Sequence, residues 1–121
     1  MDGWQRTMKQ LNFKKEYKET LRSGKKITTI RMKTNLKPKE IVEIVVGGES
    51  CGYARIKSIV RKKISEINDK DAKKDGFKNR RELLRALKKI YGKITPETHV
   101  YIIRFEKEDL KKTRKKPTCS K

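Results

Sequence analysis

The chain has 121 residues, 41% of them charged and 33% hydrophobic, with 35 Lys and Arg against 15 Asp and Glu. That length suits one domain around one modest core, and no apolar run approaches the ~20 residues a membrane-spanning helix needs. The formal net charge of +20 points to a polyanionic partner, nucleic acid before a membrane surface. A heat-adapted surface would balance lysine with glutamate, and this one does not.

Charge is not confined to one end. Residues 11–106 carry 26 basic and 12 acidic side chains, so the expected folded part is itself basic. The two cysteines, Cys51 and Cys119, and the single histidine, His99, lack metal-ligand spacing, so neither a metal nor a cofactor is expected. A disulfide is not expected either, and with no apolar stretch of a secretory signal the expectation is a cytoplasmic protein with reduced thiols.

In chain order, residues 1–10 form a polar leader containing Trp4. Leu11-Asn12-Phe13 reads as a short strand. Residues 14–22 read as a helix with Tyr17 and Leu21 one turn apart on one face, ended by Ser23-Gly24. The β-branched run over 27–32 predicts a strand, and Lys37-Pro38-Lys39-Glu40 a turn. A nearly continuous apolar run over 41–46 predicts a strand buried on both faces, and Gly47-Gly48 a tight hairpin.

Residues 53–60 alternate, placing Ala54, Ile56, Ser58 and Val60 on one face of a strand. Asn68 or Asp69 caps a short helix through Lys74, which Asp75-Gly76-Phe77 ends. Asn79 caps the clearest helix, 80–91, with an apolar stripe of Leu83, Leu84, Leu87 and Ile90 and a stop at Gly92. A last strand spans 100–106, and residues 107–121 form a basic arm expected to be disordered. The order β-α-β-β-β-α-α-β with short connections predicts an α+β domain, a small and mostly antiparallel barrel with helices packed on it.

The densest polar cluster is Gly24-Lys25-Lys26-Ile27-Thr28-Thr29-Ile30-Arg31. Strand alternation puts Thr29 and Arg31 on one face, and Lys26 at the preceding turn can swing to it. An ammonium, a hydroxyl and a guanidinium around one hollow suit a phosphate, a carbonyl oxygen or a base edge. The same residues also suit an ordinary strand with a wet face. Arg80, Arg81 and Arg85 border the apolar stripe of the long helix and are candidates for phosphate contact, although a solvated helix face is the commoner outcome. Tyr53, Phe77 and Tyr91 are candidates to stack on bases, although for Phe77 and Tyr91 a place in the core is the commoner outcome.

The stretch from Leu21 to Arg31 resembles the signature of ASCH domains, in the PUA-like superfamily, whose pattern is roughly Gly-x-Lys-x-x-Thr-x-Arg. Gly24 precedes the matching Lys26, Thr29 and Arg31. The 37–40 turn, where family members often carry glycine at the place of Lys39, the 71–77 segment, and the 82–91 helix with the strand after it are similar as well. The resemblance spans residues 11–106 and implies a PUA-like β-barrel with a cleft between barrel and helices and an RNA-binding role. It makes RNA or a nucleotide-like ligand the expected partner, gripped by Lys25, Lys26, Thr29, Arg31, Arg80, Arg81 and Arg85, with a monomer expected.

Some small bacterial members of the family are amidohydrolases that remove the acetyl group from acetylated cytidine, using a Lys, a Thr and a Glu. Position by position these carry over to Lys26, Thr29 and Asp75, the last a carboxylate one methylene shorter. As an enzyme the chain would use Thr29 as nucleophile or water-positioning group, Lys26 as base, Asp75 to orient the base or protonate the leaving amine, and Arg31 to hold the oxyanion. Asp75 also has an ordinary role open to it, as the aspartate of an Asp-Gly turn.

Overall fold

The computed structural model describes residues 9–108. The elements follow the expected order: β1 (Gln10–Phe13), α1 (Lys18–Arg22), β2 (Thr28–Arg31), β3 (Ile41–Val46), β4 (Glu49–Lys63), α2 (Asp69–Lys74), α3 (Arg80–Tyr91) and β5 (His99–Glu108), with 3-10 turns at Lys15–Tyr17 and Ile64–Glu66. Lys107 and Glu108 thus continue the last strand. The rest of the expected arm, and the leader before residue 9, lie outside the described residues.

The five strands form one mixed sheet in the order β1-β3-β4-β5-β2. Only β1 and β3 run parallel; the other pairs are antiparallel. The barrel expected from the sequence is therefore a half-barrel. The outer strands β1 and β2, each of four residues, do not pair with each other in the sheet, which stays open.

Alternation along β5 divides the core in two. Ile103 and Phe105 face a cluster with Leu11, Phe13, Leu21, Val42, Ile44 and Ile56, over which α1 lies. Val100 and Ile102 face the other way, against Ile64, Ile67, Ala72, Leu83 and Leu87 of the segment carrying α2 and α3. The long helix is capped as expected: Asn79 Oδ1 accepts from the Glu82 amide at 3.0 Å, and Gly92 stands at its end with φ of 80°. Leu83 and Leu87 are buried, but Ile90 is 46% exposed; Tyr91 packs inward in its place and donates its hydroxyl to the Ile30 carbonyl.

Three local expectations need correction. The 14–22 helix is a 3-10 turn followed by the five residues of α1, though Tyr17 and Leu21 do pack on the same cluster. The strand expected over 53–60 runs over 49–63, and its faces switch midway. Ile56 pairs with Phe105 and Ser58 with Arg104, so Lys57 is an extra, bulged residue. A one-residue bulge reverses parity, so Val60 is exposed while Ile59 packs on the core.

The third correction concerns 41–46. Ile44 through Val46 are buried on both faces as expected, but in the first half of the strand only Val42 is, with Ile41 and Glu43 half-buried. In the 37–40 turn, the Glu40 amide donates to the Lys37 carbonyl at 3.2 Å and Lys39 has φ of 77°. Pro38 followed by a left-handed residue is a type II turn, and a lysine in that conformation costs roughly 1–2 kcal/mol that glycine avoids.

Candidate functional site

Two helix ends and one strand bring the site together. Gly24, with φ of 85°, reverses the chain after α1, and the Lys26 amide donates back to the Thr20 carbonyl at 3.0 Å. The next amide, of Ile27, donates to the Lys74 carbonyl of α2 at 2.7 Å. Lys26 is thus clamped between both helices before the chain enters β2.

On the other side, α2 closes with Gly76 donating to the Lys73 carbonyl and Phe77 to the Ala72 carbonyl, the two bonds of a Schellman ending. Gly76 takes the left-handed position that this ending needs, with φ of 93°. A β-carbon there would stand 3.3 Å from Lys26 Cβ, so the residue also permits the close approach of Lys26. The result is a single backbone bridge between Lys26 and Asp75.

Their side chains then meet. Lys26 Nζ lies 3.0 Å from Asp75 Oδ2 and donates to the Asp75 carbonyl at 3.1 Å. Thr28 Oγ1 donates to the other carboxylate oxygen, Oδ1, at 2.8 Å. The shorter acid therefore does reach the ammonium. Lys26, Thr28, Thr29 and Asp75 are the four buried polar residues among those described, each at most 5% exposed. Burial pushes the Lys26 ammonium below its ordinary range and the Asp75 carboxyl above it. The ion pair opposes both shifts, and Arg31 adds to the downward push on Lys26.

Lys26, Thr29, Arg31 and Asp75 all line one cavity of about 160 Å³. Its walls are Phe13, Tyr17, Phe77 and Tyr91, with the α3 residues Leu83, Ala86 and Leu87 opposite. The Lys26 ammonium stands 5.2 Å from the Tyr17 ring centre and 5.7 Å from that of Phe13, and the Arg31 guanidinium 5.5 Å from Phe13, all within cation–π range. Arg31 Nη2 donates to the Asn12 carbonyl at 2.9 Å, whereas its Nε is buried with no hydrogen-bond partner among the described residues. A buried donor left unpaired costs about 1–3 kcal/mol.

The other sequence candidates stand apart from this cavity. Lys25 is exposed on the turn. Arg80 is turned to structural use: its Nε donates to the Ile67 carbonyl at 2.7 Å and its Nη2 to Ile64 at 3.3 Å. Arg81 and Arg85 are exposed and, two residues either side of the buried Leu83, lie on the far face of α3. Tyr53 is 36% exposed and away from these groups, while Phe77 and Tyr91 serve both the cavity wall and the core. Three contributors were not foreseen. Thr28 holds Asp75, and Phe13 and Tyr17 supply the rings nearest the ammonium. Among the described residues no cluster of three His, Cys, Asp or Glu could hold a metal, and no helix is long and apolar enough to cross a membrane.

The family model described as ASCH domain matches residues 4–109. No curated protein matches the sequence. Among solved structures, an ASCH domain from Lactobacillus crispatus JV V101 superposes with a TM-score of 0.68 at 9% identity, covering 79% of each chain. A protein from Enterococcus faecalis V583 does so with 0.63 at 15% identity, covering 88% of this chain and 85% of its own. An ASCH protein from Zymomonas mobilis gives 0.62 at 14% identity, covering 80% of this chain and 65% of its own. At these identities the likeness is one of fold, and the family rests on the match over residues 4–109: the chain belongs to the ASCH domain family.

Proposed function

We propose that this domain binds RNA, or a nucleotide-like ligand, by admitting one flat ring into the cavity beside Lys26, Thr29 and Arg31 while the basic surface holds the phosphates. The observation that carries the reading is the aromatic-walled cavity lined by Lys26, Thr29 and Arg31, the last with an unpartnered Nε. Drug-sized sites run to about 300–1,000 Å³, so a cavity of about 160 Å³ suits a fragment such as a single base. Base recognition in single strands combines ring stacking with hydrogen bonds to base edges, and this wall offers both. The +20 net charge supplies affinity for the backbone.

The test is a salt titration with a short single-stranded RNA. If about five phosphates are neutralised, affinity falls roughly a hundredfold between about 50 and 200 mM salt. An affinity that is flat in salt, or absent at low salt, contradicts the reading.

The 3.0 Å contact between Lys26 and Asp75, with Thr29 in the same cavity, favours a second reading. In it the domain hydrolyses the amide of an acetylated cytidine. Thr29 attacks the acetyl carbonyl or positions the water that does, Lys26 takes the proton from the attacking oxygen and passes it to the amine of cytidine as the C–N bond breaks, Asp75 holds Lys26, and Arg31 meets the developing oxyanion; where Thr29 itself attacks, water then cleaves the acetyl-threonine ester to release acetate. Because burial lowers Lys26, the rate would climb with pH and level off below the ordinary lysine value of 10.5. Purified protein should release acetate from N-acetylcytidine, and Thr29→Val, which removes only the hydroxyl, should abolish this. Equal rates for wild type, Thr29→Val and buffer alone would end the enzymatic reading.

A further inference from the structure

A larger hollow, of about 310 Å³, lies beyond Lys26, which lines both spaces. Its lining includes the mouth of the first core cluster: Leu21 of α1, Ile44 and Val46 of β3, Ala54 of β4 and Phe105 of β5. Such a floor takes an apolar or aromatic body. Its rim is cationic. Lys107 pairs with Ala54 in the ladder, and alternation puts its side chain on the same face as Phe105. Lys18 comes from α1 across the opening. Neither lysine has an ion-pair partner among the described residues, whereas Arg22 at the same rim is held by Glu19 at 2.9 Å. The acid on this rim, Glu106, is itself paired with Lys57 at 3.3 Å.

An apolar floor with two uncompensated ammonium groups at its edge fits a ring carrying an anion. Lys26, which lines both spaces, selects which one. We infer that the large hollow holds the nucleotide adjacent to the one in the small cavity, on the same single RNA strand, with its base on the Phe105 side and its phosphate at Lys18 and Lys107. This rests on the RNA reading above and extends it to a second subsite. Lys26 becomes the partition between two neighbouring bases. A strand splayed over such a partition cannot keep those bases stacked on each other, so paired RNA is refused.

The test compares affinities of the full chain for a single-stranded RNA of about ten nucleotides, within the site sizes of single-strand binders. Lys107→Glu reverses a charge at the hollow, and Arg61→Glu reverses one on an exposed residue that lines neither space. Both change the net charge equally, so Lys107→Glu should lose about tenfold more affinity than Arg61→Glu if a phosphate sits at Lys107. Cys51→Phe, which fills the same hollow without altering charge, should also weaken binding while the melting temperature holds. Equal losses for the two charge reversals, with wild-type RNA binding intact, would overturn the second subsite and leave the first reading standing. Absence of wild-type binding would overturn both.

Discussion

Asp75→Ala is expected to destabilise the domain by about 3–5 kcal/mol, because it strands the Lys26 ammonium in the interior without its counter-charge. Lys26 and Asp75 are each 4% exposed and in direct contact, so water cannot replace the lost partner without opening the core. Thr28 loses its acceptor in the same step. Urea unfolding of the variant against wild type measures this. The combined variant Lys26→Met, Thr28→Val, Asp75→Leu removes all three polar groups and is expected to cost far less than Asp75→Ala alone, since no charge is then left unpaired. A single Asp75→Ala variant as stable as wild type would mean that the pair is open to solvent, contrary to the geometry described above. If the triple variant is stable yet binds no RNA, the buried pair is kept for recognition and not for folding.

Ala86→Phe is expected to weaken RNA binding about tenfold or more without changing its salt dependence. Ala86 faces the small cavity from α3, and a phenyl ring there occupies the space assigned to the base. Loss of one stacked base costs roughly 1–3 kcal/mol in single-strand binders. The substitution touches no charge, so the number of released counterions, and hence the slope of affinity against salt, stays the same. This separates the cavity from the basic surface: surface lysine variants should change the slope, and Ala86→Phe should change the intercept. Binding that is indifferent to Ala86→Phe would leave the charge as the whole explanation.

The sequence exposed the order of the elements well, because most boundaries are set by local chemistry. Asn79 and Gly92 bracket α3, Gly47-Gly48 turns the hairpin from β3 to β4, and β-branched runs mark the strands. Closure of the barrel was not legible, since it depends on whether two short edge strands pair across a distance that no local pattern reports. The bulge at Lys57 was equally invisible. Val60 continues the alternation by residue type, and only the pairing with β5 reveals the slip. At the site, strand parity and the Gly-x-Lys-x-x-Thr-x-Arg resemblance brought Lys26, Thr29 and Arg31 to one hollow. The partnership of Thr28 with Asp75 spans 47 residues and arises from the way α2 ends against β2. Arg80 carries a use that its charge alone does not announce: its Nε and Nη2 donate to the Ile67 and Ile64 carbonyls.

The most direct test follows one proton, the Arg31 Nε–H, by nuclear magnetic resonance while a short single-stranded RNA is added. Entry of a base into the cavity gives this buried donor the acceptor that the described residues do not supply. The resonance should move downfield and gain protection from exchange in step with binding. If RNA binds and signals from exposed lysines respond while the Arg31 Nε–H stays where it was, the ligand does not enter the cavity and the account fails.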